Sequence, residues 1–318
     1  MKNILSIDGG GVRSFIPLKI LHEIENITEI PISELFDYFS GVSAGSIIIS
    51  LLLIKDENGK QKYTTGQILE VFEKFSKDIF YYTYTDRITG GFGLLGPKYS
   101  TKNLEKALLE YLEARKLSDL IKPVCFITYD LNKSSPYYFS TRDTPDASVL
   151  DTILATTAAP TYFGPYAKDE YLFIDGGVVT NNPCEICFLK ALQHKKQDYY
   201  TLSLATGFNA STSTWNYGIF GWSYNIIDIL FNANTAAQSF ELELLHTVLS
   251  DNNKFIRLNI PLIESIPLDD VYAFPKMNEI MDKWIIEHDV ELKDICRQLL
   301  ENYQSKSPSS FHNNDNTV

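Results

Sequence analysis

The chain has 318 residues, of which 40 are Asp or Glu and 28 are Lys or Arg, giving a formal net charge of −12 at pH 7. This negative charge repels phosphate backbones, and no basic patch offsets it, so we expect no nucleic acid partner. The same charge disfavours electrostatic attachment to an anionic membrane but does not exclude apolar docking. A hydrophobic fraction of 44% is ordinary for a soluble globular protein.

Neither the cysteines nor the apolar segments indicate export or membrane insertion. Cys184 and Cys187 form a C-x-x-C pair, but no second pair and no nearby histidine completes a zinc site, so we predict buried thiols in a reducing compartment. No signal peptide is evident at the N-terminus. The longest apolar run, Ile47–Ile54, is far shorter than the roughly 20 residues that span a bilayer. We expect a cytoplasmic protein that contacts membranes only transiently if its substrate is a lipid.

Hydrophobic periodicity predicts strands that alternate with helices. In chain order the predicted elements are a strand at Ile4–Ile7, a helix reaching about Asn26, a strand at Asp37–Val42, a helix at Ala44–Ile54, a helix near Thr101–Leu117, and strands at Pro123–Tyr129, Tyr171–Ile174 and Tyr199–Leu204. This alternation favours an α/β layered fold with a mostly parallel central sheet.

Three further features concern the second half of the chain. The aromatic segment Tyr217–Phe231 fits either a core helix or a mobile apolar flap over a lipid cleft. His288 lies on an apolar helical stripe, and we predict that it is packed rather than catalytic. From Ser305 the sequence becomes polar, so we expect one domain over residues 1–304 and a disordered tail over 305–318.

The first chemical motif is G-x-S-x-G, formed by Gly41, Ser43 and Gly45 between a predicted strand and a predicted helix. That context is required for a nucleophile elbow, a sharp turn that projects the serine hydroxyl from the sheet edge. The two glycines remove side chains that would collide across the turn. The helix that begins at Ala44 offers free amides to a developing oxyanion.

The second motif is the run Asp8-Gly9-Gly10-Gly11-Val12-Arg13-Ser14, directly after the first strand. Three consecutive glycines at a strand-to-helix turn expose backbone N–H groups and form an anion cradle. In an acyl hydrolase this cradle would be the oxyanion hole. Arg13 would support the loop, meet a substrate phosphate, or form a surface ion pair.

The third motif is Asp175-Gly176-Gly177 at the end of another strand, followed by Asn181-Asn182-Pro183. A carboxylate in this position can approach a serine closely and act as general base without an imidazole. Because an ordinary aspartate, with a pKa near 3.9, is a weak base, we predict that burial raises the pKa of Asp175. Alone, the motif would be only a turn-forming sequence.

In this order, the three motifs resemble those of the patatin-like phospholipase family. The resemblance covers roughly residues 1–210 and includes Ser203–Gly207, where Ala205 replaces a family glycine. Ser14 likewise stands where the family's first motif usually has glycine. Neither departure touches Ser43 or Asp175.

The resemblance implies a three-layer α/β/α fold and a lipid acyl hydrolase of the phospholipase A or lysophospholipase type. It makes Ser43 the nucleophile and Asp175 the base. The implied oxyanion hole is the glycine run Gly9–Gly11 together with the amide of Ala44. The implied substrate is a phospholipid or another acyl-ester lipid, with no metal and no cofactor.

Other functions stay open at this point. An α/β-hydrolase would need a histidine after the acid, and the candidates are His194, His246, His288 and His312. An actin-like kinase would use the glycine runs as phosphate loops, but that leaves the serine elbow unexplained. A catalytically inactive binding protein is the third alternative.

Overall fold

The computed structural model describes residues 1–80, 96–209 and 235–305. The segment Tyr217–Phe231, predicted as a core helix or flap, and the polar tail beyond residue 305 lie outside the described residues. The strands are β1 (Lys2–Ile7), β2 (Tyr38–Val42), β3 (Val124–Asp130), β4 (Ser135–Ser140), β5 (Tyr166–Lys168), β6 (Tyr171–Asp175), β7 (Tyr199–Leu204), β8 (Phe208–Asn209), β9 (Lys254–Leu258) and β10 (Pro261–Leu262). The helices are α1 (Phe15–Thr28), α2 (Ile32–Leu35), α3 (Ala44–Leu53), α4 (Thr65–Ile79), α5 (Thr101–Leu112), α6 (Val149–Thr156), α7 (Cys184–His194), α8 (residues 235–249), α9 (Phe274–Glu287) and α10 (Asp289–Gln304).

The central sheet is mostly parallel, as predicted. Parallel pairs join β9, β7, β1, β2 and β3 in that order. Antiparallel pairs join β3 to β4 and to β6, and β6 to β5. Since the carboxyl ends of parallel strands share one edge, the turns after β1, β2 and β7 lie together.

Helices cover both faces of this sheet. Along β1 the side chains alternate, so Leu5 and Ile7 enter the larger core with α1, α3 and α4, whereas Ile4 enters a second core with α7. Leu242 of α8 completes that second core. The protein therefore has the three layers that the resemblance implied.

The strand β3 brings two strand ends together. β4 pairs with β3 from Cys125 to Asp130, so β2 and β6 must both lie along the opposite side of β3. β2 runs parallel to β3 and ends opposite Ile127, and β6 runs antiparallel and ends opposite Thr128. The two strands therefore approach each other head to head, and the residues at their ends meet beside β3.

The predicted element boundaries agree with the structure to within about two residues except at one helix. The helix predicted to reach Leu117 ends at Leu112. The next residue, Glu113, has a φ of 55°, a left-handed conformation that the hydrophobic pattern does not report.

The junction of β3 and β6 depends on a buried hydroxyl. Thr128 is 0% exposed, and its Oγ1 lies 2.7 Å from the carbonyl oxygen of Ile174 and 3.1 Å from that of Ala155. We predict that Thr128→Val, which keeps the shape and removes the donor, lowers the free energy of unfolding by about 1–3 kcal/mol in chemical denaturation.

The matched control is Thr152→Val in α6. Thr152 is also 0% exposed, but its hydroxyl has no hydrogen-bond partner among the residues that the structure describes. Equal losses in the two variants would contradict a specific role for the Thr128 hydroxyl.

Candidate active site

Ser43 occupies a strained turn between β2 and α3. Its φ of 52° and ψ of −131° lie outside the regions that L-residues favour, which costs about 1–3 kcal/mol. The backbone N–H of Ser43 donates to Oγ1 of Thr156 at 3.1 Å. This contact fixes the elbow from the neighbouring helix α6.

The two motif glycines let the elbow pack closely. A Cβ on Gly45 would lie 2.5 Å from the carbonyl oxygen of Ile7, and one on Gly41 would lie 2.7 Å from the amide nitrogen of Ser46. The turn after β2 therefore packs directly on the end of β1. The sequence motif G-x-S-x-G reflects this steric requirement.

Ser43 and Asp175 meet where β2 and β6 end. The Ser43 hydroxyl donates to Oδ2 of Asp175 at 2.6 Å, and the N–H of Gly177 donates to Oδ1 at 2.7 Å. Asp175 is 0% exposed, and burial raises its pKa to about 7, while the two hydrogen bonds oppose the shift. This agrees with the predicted desolvation. Gly176 and Gly177 form the short 3₁₀ turn after the carboxylate.

The glycine run after β1 supplies amides beside Ser43. Gly10, Gly11 and Ala44 line the same cavity as Ser43. Within the described ranges, the N–H groups of these three residues donate no hydrogen bond. They are therefore available to an oxyanion on a substrate bound at Ser43.

Two other residues of this loop, Gly9 and Arg13, do not line the cavity. The N–H of Gly9 is directed at the carbonyl oxygen of Asn181, 3.4 Å away, and Gly9 does not line the cavity. Gly9 therefore supports the loop and is removed from the predicted donor set. Arg13 is 4% exposed and also lies outside the cavity lining, which excludes a surface ion pair and favours loop support.

The cavity over Ser43 and Asp175 is mainly apolar. Much of its wall comes from α4 and the residue that follows it. The apolar lining residues are Ile47, Phe72, Phe75, Ile79, Phe80, Leu104, Ala159, Tyr162, Phe163 and Leu268. Such a wall suits a hydrocarbon chain better than a polar group.

Sequence reasoning missed an ion pair behind the glycine run. The Arg257 guanidinium donates to both oxygens of Asp8, at 2.8 and 2.5 Å, and to the Ser203 hydroxyl at 2.6 Å. Asp8 is 1% exposed; burial raises its pKa and Arg257 lowers it. Arg257 lies in β9, 249 residues from Asp8 in sequence, and belongs to no motif, so only the sheet order reveals this pair.

The histidines of the described residues lie away from Ser43 and Asp175. His246 is buried between Thr201 Oγ1 at 2.9 Å and the carbonyl oxygen of Leu242. His288 stacks on Trp284, and His194 packs edge-on against Tyr38. Over residues 1–80, 96–209 and 235–305, no histidine hydrogen-bonds to Ser43 or Asp175. His312 lies outside these ranges.

The described residues form neither a metal centre nor a helix that could cross a membrane. Among the described residues, no three His, Cys, Asp or Glu side chains cluster closely enough to hold a metal ion. All four cysteines are buried and free, including the C-x-x-C pair on α7. No described helix has both the length and the apolar character to cross a bilayer.

Comparison with known proteins decides the family. The model of the patatin-like phospholipase family matches residues 5–188, which contain all three motifs. The chain belongs to the patatin-like phospholipase family. Membership of this family supports lipid ester hydrolysis as its activity.

Relatives of this patatin-like protein occur in plants and bacteria. It is 26% identical to patatin-like protein 4 of Arabidopsis thaliana, over 85% of this chain and 78% of that protein. It is 33% identical to the cGAMP-activated phospholipase of Escherichia coli strain TW11681, over 62% of this chain and 57% of that protein. The solved structure of VipD from Legionella pneumophila aligns with 89% of this chain and 67% of its own, with a TM-score of 0.41 and 13% identity.

The raised pKa of Asp175 makes a prediction about stability. The pKa of about 7 in the folded protein exceeds the ordinary aspartate value near 3.9, so the folded state holds this proton more tightly than the unfolded chain. The contribution of Asp175 to the stability of the wild type is therefore lost as pH rises from about 4 to about 7. The Asn side chain of Asp175→Asn does not ionise. The unfolding free energy of the variant minus that of the wild type should therefore increase with pH.

The measurement is chemical denaturation of both proteins at several pH values across that range. A difference in unfolding free energy that stays constant with pH would contradict the raised pKa.

Proposed function

We propose that this patatin-like protein hydrolyses fatty-acyl esters of membrane lipids through a Ser43–Asp175 dyad. The observation that carries the proposal is the 2.6 Å contact between Ser43 Oγ and Asp175 Oδ2 at the base of an apolar cavity. A carboxylate with a pKa of about 7 is a competent base near neutral pH.

In the first step, Ser43 Oγ attacks the ester carbonyl carbon while Asp175 accepts the hydroxyl proton. The carbonyl oxygen becomes an oxyanion, which the amides of Gly10, Gly11 and Ala44 stabilise. Collapse of this intermediate breaks the bond to the lipid alcohol. The alcohol oxygen takes the proton from Asp175 and leaves, and the acyl group stays on Ser43.

In the second step, a water molecule replaces the alcohol. Asp175 accepts a proton from this water, whose oxygen attacks the acyl carbon through the same oxyanion site. The bond to Ser43 Oγ breaks, the proton returns to that oxygen, and the fatty acid leaves. One base thus serves both half-reactions because it is regenerated after each.

The cavity favours a lipid over a small polar ester. Its phenylalanine-rich wall removes apolar surface from water when an acyl chain binds, at roughly 25 cal/mol per Å² buried. The proposed substrates are therefore phospholipids or other acyl-ester lipids, reached by transient contact of a cytoplasmic protein with a membrane surface. We assign this activity to a domain over residues 1–304, with no metal and no cofactor.

The alternative functions explain fewer of the contacts around Ser43 and Asp175. A triad enzyme needs an imidazole beside the serine, whereas Asp175 contacts Ser43 directly. A kinase would bind phosphates at the glycine run, yet the adjoining wall is aromatic and apolar. An inactive binding protein would have no need of a buried carboxylate hydrogen-bonded to a strained serine.

The test is fatty-acid release from mixed phospholipid vesicles, with and without added cGAMP because one relative is a cGAMP-activated phospholipase by name. We predict that Ser43→Ala and Asp175→Asn each reduce release by at least about 10³-fold. Mass analysis of the lysolipid products identifies the acyl position that is cleaved.

Two control variants make the same kinds of substitution at buried residues that do not line the cavity. Ser50→Ala removes another buried serine hydroxyl from α3, and Asp130→Asn changes another buried aspartate at a strand end. Both should keep wild-type release. Activity surviving in either dyad variant, or no release from the wild type under either condition, would contradict the proposal.

A further inference from the structure

The carbonyl oxygen of Gly9 accepts two side-chain hydrogen bonds. Oγ1 of Thr206 donates to it at 3.0 Å, and Nδ2 of Asn181 donates at 3.1 Å. Thr206 is 3% exposed and Asn181 is 6% exposed, so water competes little for either bond. Thr206 follows β7 and Asn181 follows β6, and both turns lie at the edge of the sheet that carries Ser43.

A fixed carbonyl also fixes the next amide. In a trans peptide the C=O of one residue and the N–H of the next point in opposite directions within one plane. The two side chains that hold the Gly9 oxygen therefore direct the Gly10 N–H away from themselves. Gly10 lines the cavity, and its N–H has no acceptor among the described residues.

Thr206 also packs against Gly10 itself. A Cβ on Gly10 would lie 2.3 Å from Thr206 Oγ1 and 2.7 Å from its Cγ2. The threonine therefore blocks movement of the loop away from the cavity, in addition to holding the Gly9 oxygen. Neither Thr206 nor Asn181 lines the cavity, so neither reaches the substrate.

We propose that Thr206 and Asn181 are positioning residues that orient the Gly9–Gly10 peptide so that the Gly10 N–H serves as an oxyanion donor. The inference rests on the proposed hydrolase function. It assigns a role to the Asn-Asn-Pro sequence after Asp175 and to the threonine of Ser203–Gly207, which the dyad chemistry leaves without one.

The central test compares Thr206→Val with Thr206→Ser. Valine keeps the shape of threonine and loses the donor, whereas serine keeps the donor and loses a methyl group. A misdirected Gly10 N–H weakens transition-state binding and not ground-state binding. We expect kcat of Thr206→Val to fall by at least about 10-fold, and by up to the 10²–10³-fold typical of losing one oxyanion donor, with KM unchanged. Thr206→Ser should restore most of kcat.

A second readout separates positioning from a general loss of structure. An alkyl trifluoromethyl ketone adds to a catalytic serine and carries an oxyanion in the adduct, so its affinity should fall in Thr206→Val by the same factor as kcat/KM. Asn181→Asp provides an independent variant, because a carboxylate cannot donate to the Gly9 oxygen. It should show the same pattern, and it decides the question if Thr206→Val does not fold.

The outcomes distinguish this inference from the proposed function. Wild-type hydrolysis with unchanged kcat and ketone affinity in both Thr206→Val and Asn181→Asp would overturn the positioning role alone. Equal losses in Thr206→Val and Thr206→Ser would show a packing role and also overturn it. Absence of hydrolysis and of ketone binding in the wild type would overturn the proposed function and this inference together.

Discussion

The architecture of the site depends on a carboxylate that is removed from water. Asp175 is 0% exposed, and among the described residues its carboxylate faces a hydroxyl and an amide N–H, not a cation. A buried charge with only these partners costs free energy, and this cost is what raises its pKa to about 7. In the proposed dyad, which has no imidazole, the same shift makes the aspartate a stronger base.

The sheet topology places this carboxylate at the serine. β2 and β6 run in opposite directions along the same side of β3 and end at adjacent positions. Their terminal residues must therefore meet, although Ser43 and Asp175 are 132 residues apart in sequence. The parallel strands β1 and β7 end at this edge too, and they add the glycine run and the turn that contains Thr206.

Much of this arrangement could be predicted from the sequence. Each motif directly follows a predicted strand, and in a mostly parallel sheet these turns share an edge. The strands themselves are short apolar runs bounded by turn residues, which the pattern indicates well. Ser43 and Asp175 could therefore be placed together, and the burial of the acid could be predicted from the chemistry required of it.

The features that could not be predicted depend on contacts between segments that are far apart in sequence. Arg257 belongs to no motif and reaches Asp8 only because β9 pairs with β7. Gly9 resembles its two neighbours in sequence, and only the direction of its amide toward Asn181 separates it from them. Such features depend on tertiary packing, which hydrophobic periodicity does not encode.

The most direct test of the account is the pH dependence of Ser43 modification by an alkyl fluorophosphonate. In that reaction Ser43 Oγ bonds to phosphorus, fluoride leaves, and Asp175 accepts the serine proton. The account predicts that the label maps to Ser43 by mass spectrometry. It also predicts that the rate rises with pH to a plateau, with a midpoint near the pKa of about 7, and that Asp175→Asn abolishes this dependence. A midpoint near the ordinary aspartate value, or a rate in Asp175→Asn equal to that of the wild type, would contradict the central role of the buried carboxylate.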